Sequence, residues 1–480
     1  MTTPNRPIGA GLAGGGLWPE HIPRPATPSV LLPPVQQGAV GASALPAEAS
    51  TQRWPWLGVQ WTLTYAGFLG YIFAITTYRF QIGDVSIIVA LIGLLTMQEP
   101  VRVPGLLKGL GVFLLWGMIG YALSDYPALV YTRLDQMVKL WLIALVAANA
   151  LRTRAQLRFF LFFWLACFAL YPVRGALFNY YVYRETLMGR ALWNYIFNNP
   201  NDLAAYCILQ LSMALGLYSL ELKGPVRLGA RLGLVVLPLV ILLTKSRGAF
   251  LGFAAFLLFA LWGQKRRGRA IGITVALASA LIFIAPSGVL DRVFALKKIQ
   301  DTGDVAAADQ EGSAEQRYEI WKVARLIISE NPVAGVGLGA YPAEHGLASQ
   351  RPQFKETARG RRDTHSTYLN VTAETGFVGL IIFVASYLST FVAIEATRRR
   401  LKKLRPSSAQ TLYALEVGAL GFFIAAIFGS MAHVSFLVLH VITIWSIAEL
   451  MKREVAADVA KRRVQAFQLA NAGTPQPAAR

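Results

Sequence analysis

Cysteine is scarce: Cys167 and Cys207 are the only two in 480 residues, and both sit in or beside apolar stretches. A disulfide framework and a thiolate metal site are therefore not expected. Acidic residues are few as well, 26 Asp and Glu against 46 Lys and Arg, for a formal net charge of +20. No basic–aromatic motif accompanies that excess, so nucleic acid is not an expected partner. The sequence holds no HExxH or Asp-x-Asp pattern, and neither a metal nor a cofactor is expected. Internal repeats of the kind that transporters show are also lacking. Residues 1–53 have neither helical periodicity nor an apolar h-region. Rich in Gly, Pro and Ala, they read as a disordered cytoplasmic tail and not as a cleavable signal peptide.

What is present in quantity is apolar length. Hydrophobic residues make up 55% of the chain, and long apolar runs recur from Trp56 to Met451. The runs match about twelve membrane spans. Backbone groups in lipid must be satisfied within each segment, so an open sheet is excluded. The expected fold is all-α: a polytopic transmembrane helical bundle with one large external loop. Its parts are a transmembrane region of about nine spans at 54–286, a periplasmic loop at 287–366, about three further spans at 367–451 and a basic cytoplasmic tail at 452–480. Alternate loops carry Arg152, Arg154 and Arg158, then Lys223, Arg227 and Arg231, then Lys265 to Arg269, then Arg398 to Arg405. The positive-inside rule puts these in the cytoplasm together with both termini.

Basic residues on the opposite face need another reason. Arg174 and Arg190 follow the fifth span, and Lys245 and Arg247 occupy a tight turn between two apolar helices. They read either as snorkelling anchors or as an anion clamp, for which guanidinium offers a planar pair of donors. Asn201 or Asp202 reads as the N-cap of the next span. The stretch Asp301–Gly312 lacks the ligand register of a calcium loop and reads as a mobile, solvated segment. In the segment SAEQRYEIWKVARLIISE, Ile320, Trp321, Ala324, Ile327 and Ile328 recur at helical spacing, which suits a helix lying in the membrane interface. Arg317 on that helix faces either solvent or a site. His365 opens the next apolar helix, either as an interfacial residue or as a proton acceptor working near neutral pH.

Read in order, EQRYEIWKVARLIISENPVAGVGLGAY followed by THSTYLNVTAETGFVGL resembles the C-terminal signature of the O-antigen ligase and polymerase superfamily. Ser246-Arg247-Gly248 and Asn199-Pro200-Asn201 match further family features. The usual His-Asn pair is His365-Ser366 here. The resemblance implies an inner-membrane, metal-independent, inverting glycosyltransferase of lipopolysaccharide biosynthesis with its active site facing the periplasm. Such an enzyme moves a preassembled glycan from undecaprenyl pyrophosphate to an acceptor hydroxyl. It further implies His365 as the base and Arg247 and Arg317 as pyrophosphate ligands, with Arg190, Arg174 and Lys245 adding positive charge. Lipid A–core is the favoured acceptor, a second lipid-linked glycan or a protein hydroxyl the alternatives, and a transporter of lipid-linked glycan the rival from another class.

Overall fold

The computed structural model describes residues 56–78, 82–220, 224–263, 268–269, 271–272, 274–276 and 313–472. Among these residues the ordered elements are helices, and the only β pairing is an isolated bridge between Leu187 and Arg190. In chain order they are α1 (Leu63–Thr77), α2 (Gly83–Leu95), α3 (Gly105–Leu123), α4 (Pro127–Ala150) and α5 (Arg154–Tyr183). Next come α6 (Pro200–Ser219), α7 (Pro225–Leu243), α8 (Arg247–Trp262), α9 (Ser313–Glu330) and α10 (Tyr341–Ala348). The last three are α11 (Thr367–Leu404), α12 (Pro406–Ala425) and α13 (Ser435–Ala472).

Local chemistry explains where these helices start. Proline stands in the first turn of α4, α6, α7 and α12, where its missing N–H costs nothing. Thr62 caps α1, Ser246 caps α8, and Thr153 with Gln156 forms a capping box on α5. Among the described residues, seven helices are long and apolar enough to cross a membrane, and α1, α2 and α8 are apolar but shorter. In α4, Lys139 and Asp135 pair at 3.0 Å one turn apart, both half exposed. The expected tail at 1–53, the end of the expected transmembrane region at 54–286 and the acidic stretch Asp301–Gly312 lie wholly or largely outside the described residues.

One end of the bundle gathers Arg152, Arg154 and Arg405 of the basic loops. Glu454 of α13 bonds both Arg154 of α5 and Arg405 before α12, and Arg405 also reaches Asp458. At the same end Arg152 pairs with Glu99. The opposite end carries the start of α6, the α7–α8 turn, α9, α10 and the start of α11. Helix α8, though short, is held in place because its backbone touches α12: a Cβ on Gly252 would come within 2.5 Å of the Gly421 carbonyl oxygen. Small residues allow that approach.

The helix at 313–330 differs from its expected role in the membrane interface. Of its apolar stripe, Val323, Ala324, Ile327 and Ile328 are buried within the main core, and Ile320 is buried as well. The same helical period that suits a lipid surface here buries the stripe within the protein.

Candidate functional site

The α7–α8 turn is short and strained. Helix α7 ends at Leu243 and α8 begins at Arg247. Lys245 between them takes a left-handed backbone, φ +50°, which non-glycine residues seldom adopt. Ser246 then caps α8 by accepting from the Ala249 amide at 3.3 Å. The segment before α6 docks onto this turn. The Ala191 amide donates to the Leu243 carbonyl at 2.9 Å, and Arg190 Nε donates to the Thr244 carbonyl at 2.8 Å. Arg190 Nη2 donates to Asn201 Oδ1 at 2.7 Å, and Ser246 Oγ donates to the same oxygen at 2.7 Å. Arg190, Lys245 and Arg247 are thus gathered on one corner. The cap of α6 is Asn199, whose side chain accepts from the Asn201 amide at 2.9 Å. The expectation of a cap at Asn201 or Asp202 is corrected accordingly. Pro200 takes the first helical position, so the cap falls at Asn199, and Asn201 is left to bridge Arg190 and Ser246.

A second chain of contacts joins that corner to His365. Gly248, next to Arg247, lies against Phe428: a Cβ there would meet the Phe428 side chain at 2.6 Å. Phe428 stacks on Trp321 with ring centres 6.4 Å apart. Trp321 lies one turn after Arg317 on α9, on the same face, and its Nε1 donates to the Thr364 carbonyl at 2.8 Å. His365 follows at once, partly buried and held at φ +49°. The segment is pinned from beyond as well, since Thr367 Oγ1 donates to the Gly429 carbonyl at 2.6 Å and Thr364 Oγ1 lies 3.1 Å from Ser430 Oγ.

The electrostatics follow from this packing. Burial first, and then the Arg317 charge, hold the His365 pKa below its ordinary value. Asp363 opposes them and Arg362 adds to the lowering. The imidazole is therefore neutral at pH 7 and free to accept a proton. Arg317 also acts on Asp202 in the first turn of α6. Helices α6, α8 and α11 all begin at this end, and their unsatisfied N–H groups favour an anion in the same place as the cations.

Helix α11 is broken nine residues in, at Gly376, where φ is +66° and ψ −177°. The glycine turn after α9 lies in the break. The Val336 and Gly337 amides donate to the Ala373 and Glu374 carbonyls, both at 2.9 Å, and the Phe377 amide donates to the Pro332 carbonyl at 2.8 Å. The Ala-Gly-Val-Gly turn thereby sets where the first part of α11, and so His365, comes to rest. Ser366 is buried and forms no side-chain cap bond. Arg174 stands apart. It is exposed, its guanidinium lies 4.7 Å from the Phe178 ring centre, and it borders an apolar cleft of about 330 Å³ between α5 and α7. Among the described residues no group of three His, Cys, Asp or Glu side chains is placed to hold a metal ion.

Residues 232–384 match the sequence profile of the family described as O-antigen ligase. Over this segment the chain is similar to the O-antigen ligase superfamily. Its members are glycosyltransferase-like ligases and polymerases. No curated protein matches the chain. The O-antigen ligase segment contains Lys245, Arg247, Arg317, His365 and Gly376, whereas Arg174, Arg190 and Asn201 precede it. Asn201 and Ser430 were not singled out from the sequence as site residues. Asn201 enters the sequence reading as a cap and as part of the Asn-Pro-Asn turn, and Ser430 sits in an apolar neighbourhood that carries no local signal of its contact with Thr364.

Proposed function

We propose that the protein is an inverting glycosyltransferase of the O-antigen ligase type. It transfers a preassembled glycan from undecaprenyl pyrophosphate to a hydroxyl of lipid A–core at the periplasmic face of the inner membrane. The observation that carries this reading is the continuous contact chain Arg247–Gly248–Phe428–Trp321–Thr364–His365, which joins the cationic corner to a neutral imidazole. In the proposed step the acceptor oxygen attacks the anomeric carbon as the bond from that carbon to the pyrophosphate oxygen breaks. The hydroxyl proton passes to His365, and undecaprenyl pyrophosphate leaves with the bonding electrons. Arg247, Arg317, Arg190 and Lys245 hold the pyrophosphate and stabilise the charge growing on it without having to reorganise. Arg174, beside the apolar cleft, meets the lipid side of the donor. The cations take the part a metal ion would otherwise play, so activity is expected to persist in a chelator.

The test supplies purified protein with glycan on undecaprenyl pyrophosphate and lipid A–core, with mass spectrometry as the readout. Glycan on lipid A–core is expected. Arg317→Ala and Arg247→Ala should each lower turnover about a hundredfold or more, and His365→Ala by on the order of 10²–10⁴, in protein that remains folded. Glycan appearing on a second lipid-linked chain or on protein would replace the acceptor while keeping the chemistry. Normal turnover by His365→Ala would overturn the mechanism.

A further inference from the structure

We propose that Asp363 is the positioning residue of His365, a carboxylate fixed beside the imidazole that orients it and stabilises the imidazolium formed when the acceptor proton is taken up. The inference rests on the transfer reading above and adds a residue that reading does not use.

The geometry begins with how the carboxylate is held. Asp363 Oδ1 accepts from the Thr364 amide at 2.7 Å and from Ser430 Oγ at 2.8 Å. One oxygen is therefore tied to the segment's own backbone and to the loop after α12. Asp363 is exposed, and His365 lies only two residues on. The backbone between them has little freedom. Trp321 holds the Thr364 carbonyl, Thr364 Oγ1 donates to the Ser366 carbonyl at 2.9 Å, and His365 itself is kept in the left-handed region. A non-glycine residue there is strained and persists only where its surroundings over-determine it.

The charges around the imidazole give the carboxylate its task. Arg317 of α9 and Arg362 of the same segment act on His365 against its protonation, and Asp363 acts for it. Asp202, in the first turn of α6, interacts with both Arg317 and Asp363. From the loop before α13, His433 faces Asp363 and Arg133, and burial pushes its own pKa down to about 4. It is uncharged at neutral pH and cannot take over the carboxylate's role. A proton arriving on His365 thus enters a partly buried site bordered by guanidinium groups, and the charge nearest in sequence that favours it is Asp363. Proton uptake and release remain on the imidazole.

The test titrates the imidazole directly, so that it does not depend on transfer. The full-length protein is labelled with ¹⁵N-histidine, and the His365 signal is assigned by its loss in His365→Gln. Asp363→Asn is expected to move the His365 midpoint to lower pH, with Asp363→Glu restoring it. In the transfer assay the same Asp363→Asn change should lower kcat about tenfold or more. The KM for the lipid-linked donor should stay the same or fall, because a negative charge near the pyrophosphate is gone. An unmoved midpoint in Asp363→Asn overturns the proposal, whatever happens to turnover. A moved midpoint with unchanged kcat supports the Asp363–His365 pairing and removes His365 from the role of base. If Asp363→Asn yields too little folded protein, Ser430→Ala frees the carboxylate without removing it. The same titration should then show a smaller shift in the same direction, and no shift would again overturn the pairing.

Discussion

Asn201 shows how one neutral side chain organises several charged ones. Its Oδ1 accepts from both Arg190 Nη2 and Ser246 Oγ, each at 2.7 Å. Only the amide oxygen can serve a guanidinium, so the chemistry settles which way the amide points. Ser246 in turn caps α8, where Arg247 begins. Removing the oxygen loosens Arg190 and the cap together. Each hydrogen bond is worth about 1 kcal/mol, so Asn201→Ala is expected to raise the donor KM roughly tenfold while changing kcat less. Steady-state transfer kinetics with varied lipid-linked donor check this. A kcat loss as large as that of His365→Ala, with KM unchanged, would place Asn201 in the chemistry instead.

At the scale of elements, the break in α11 is the feature on which the site's placement depends. Gly376 combines φ +66° with ψ −177°, a region essentially confined to glycine. A Cβ there would also lie 1.9 Å from the Val333 carbonyl oxygen. Gly376→Ala therefore meets backbone strain of order 1–3 kcal/mol together with a clash that pushes the glycine turn out of the break. Lower thermal stability in detergent and lost transfer are the expected results. Gly83→Ala is the control: it lies in α2, where a new Cβ finds ordinary contact with Ala74 at 3.8 Å, and its melting curve should be unchanged. Equal stability of both variants would mean that the turn does not depend on this packing.

At the scale of the whole molecule, the two ends of the bundle differ in kind. One joins Arg154, Arg405, Glu454 and Asp458 in a charge network, and the other holds the cationic corner and His365. By the positive-inside rule the first end is expected in the cytoplasm. Cysteine labelling tests this cleanly because Cys167 and Cys207 are buried. Leu347 on α10 is 65% exposed and Val464 on α13 is 56% exposed. A membrane-impermeant maleimide added to intact spheroplasts should label Leu347→Cys and spare Val464→Cys until the cells are opened. The opposite pattern would reverse the orientation and put the site in the cytoplasm.

Several features could be read from the sequence because their physics is local. Apolar length gives a helical membrane protein, and the described residues, helical with seven spanning-length helices among them, agree with it in class. The order of the motifs around Arg247, Arg317 and His365 pointed to the O-antigen ligase superfamily, to which residues 232–384 also match. Caps such as Ser246 and the proline-led helix starts rest on adjacent residues alone. Only the tertiary structure decided which distant segments meet. Close packing of α8 on α12 through Gly252 and Gly421 brings the Arg247 turn to Phe428, and Trp321 then brings α9 to His365. No periodicity records those meetings. The amphipathic stripe of α9 shows the same limit: helical spacing says that one face must leave water, and the protein core claims that face. Asn201 completes the pattern, since its type suits a cap and a bridge equally, and the fold supplies Arg190 and Ser246 as its partners.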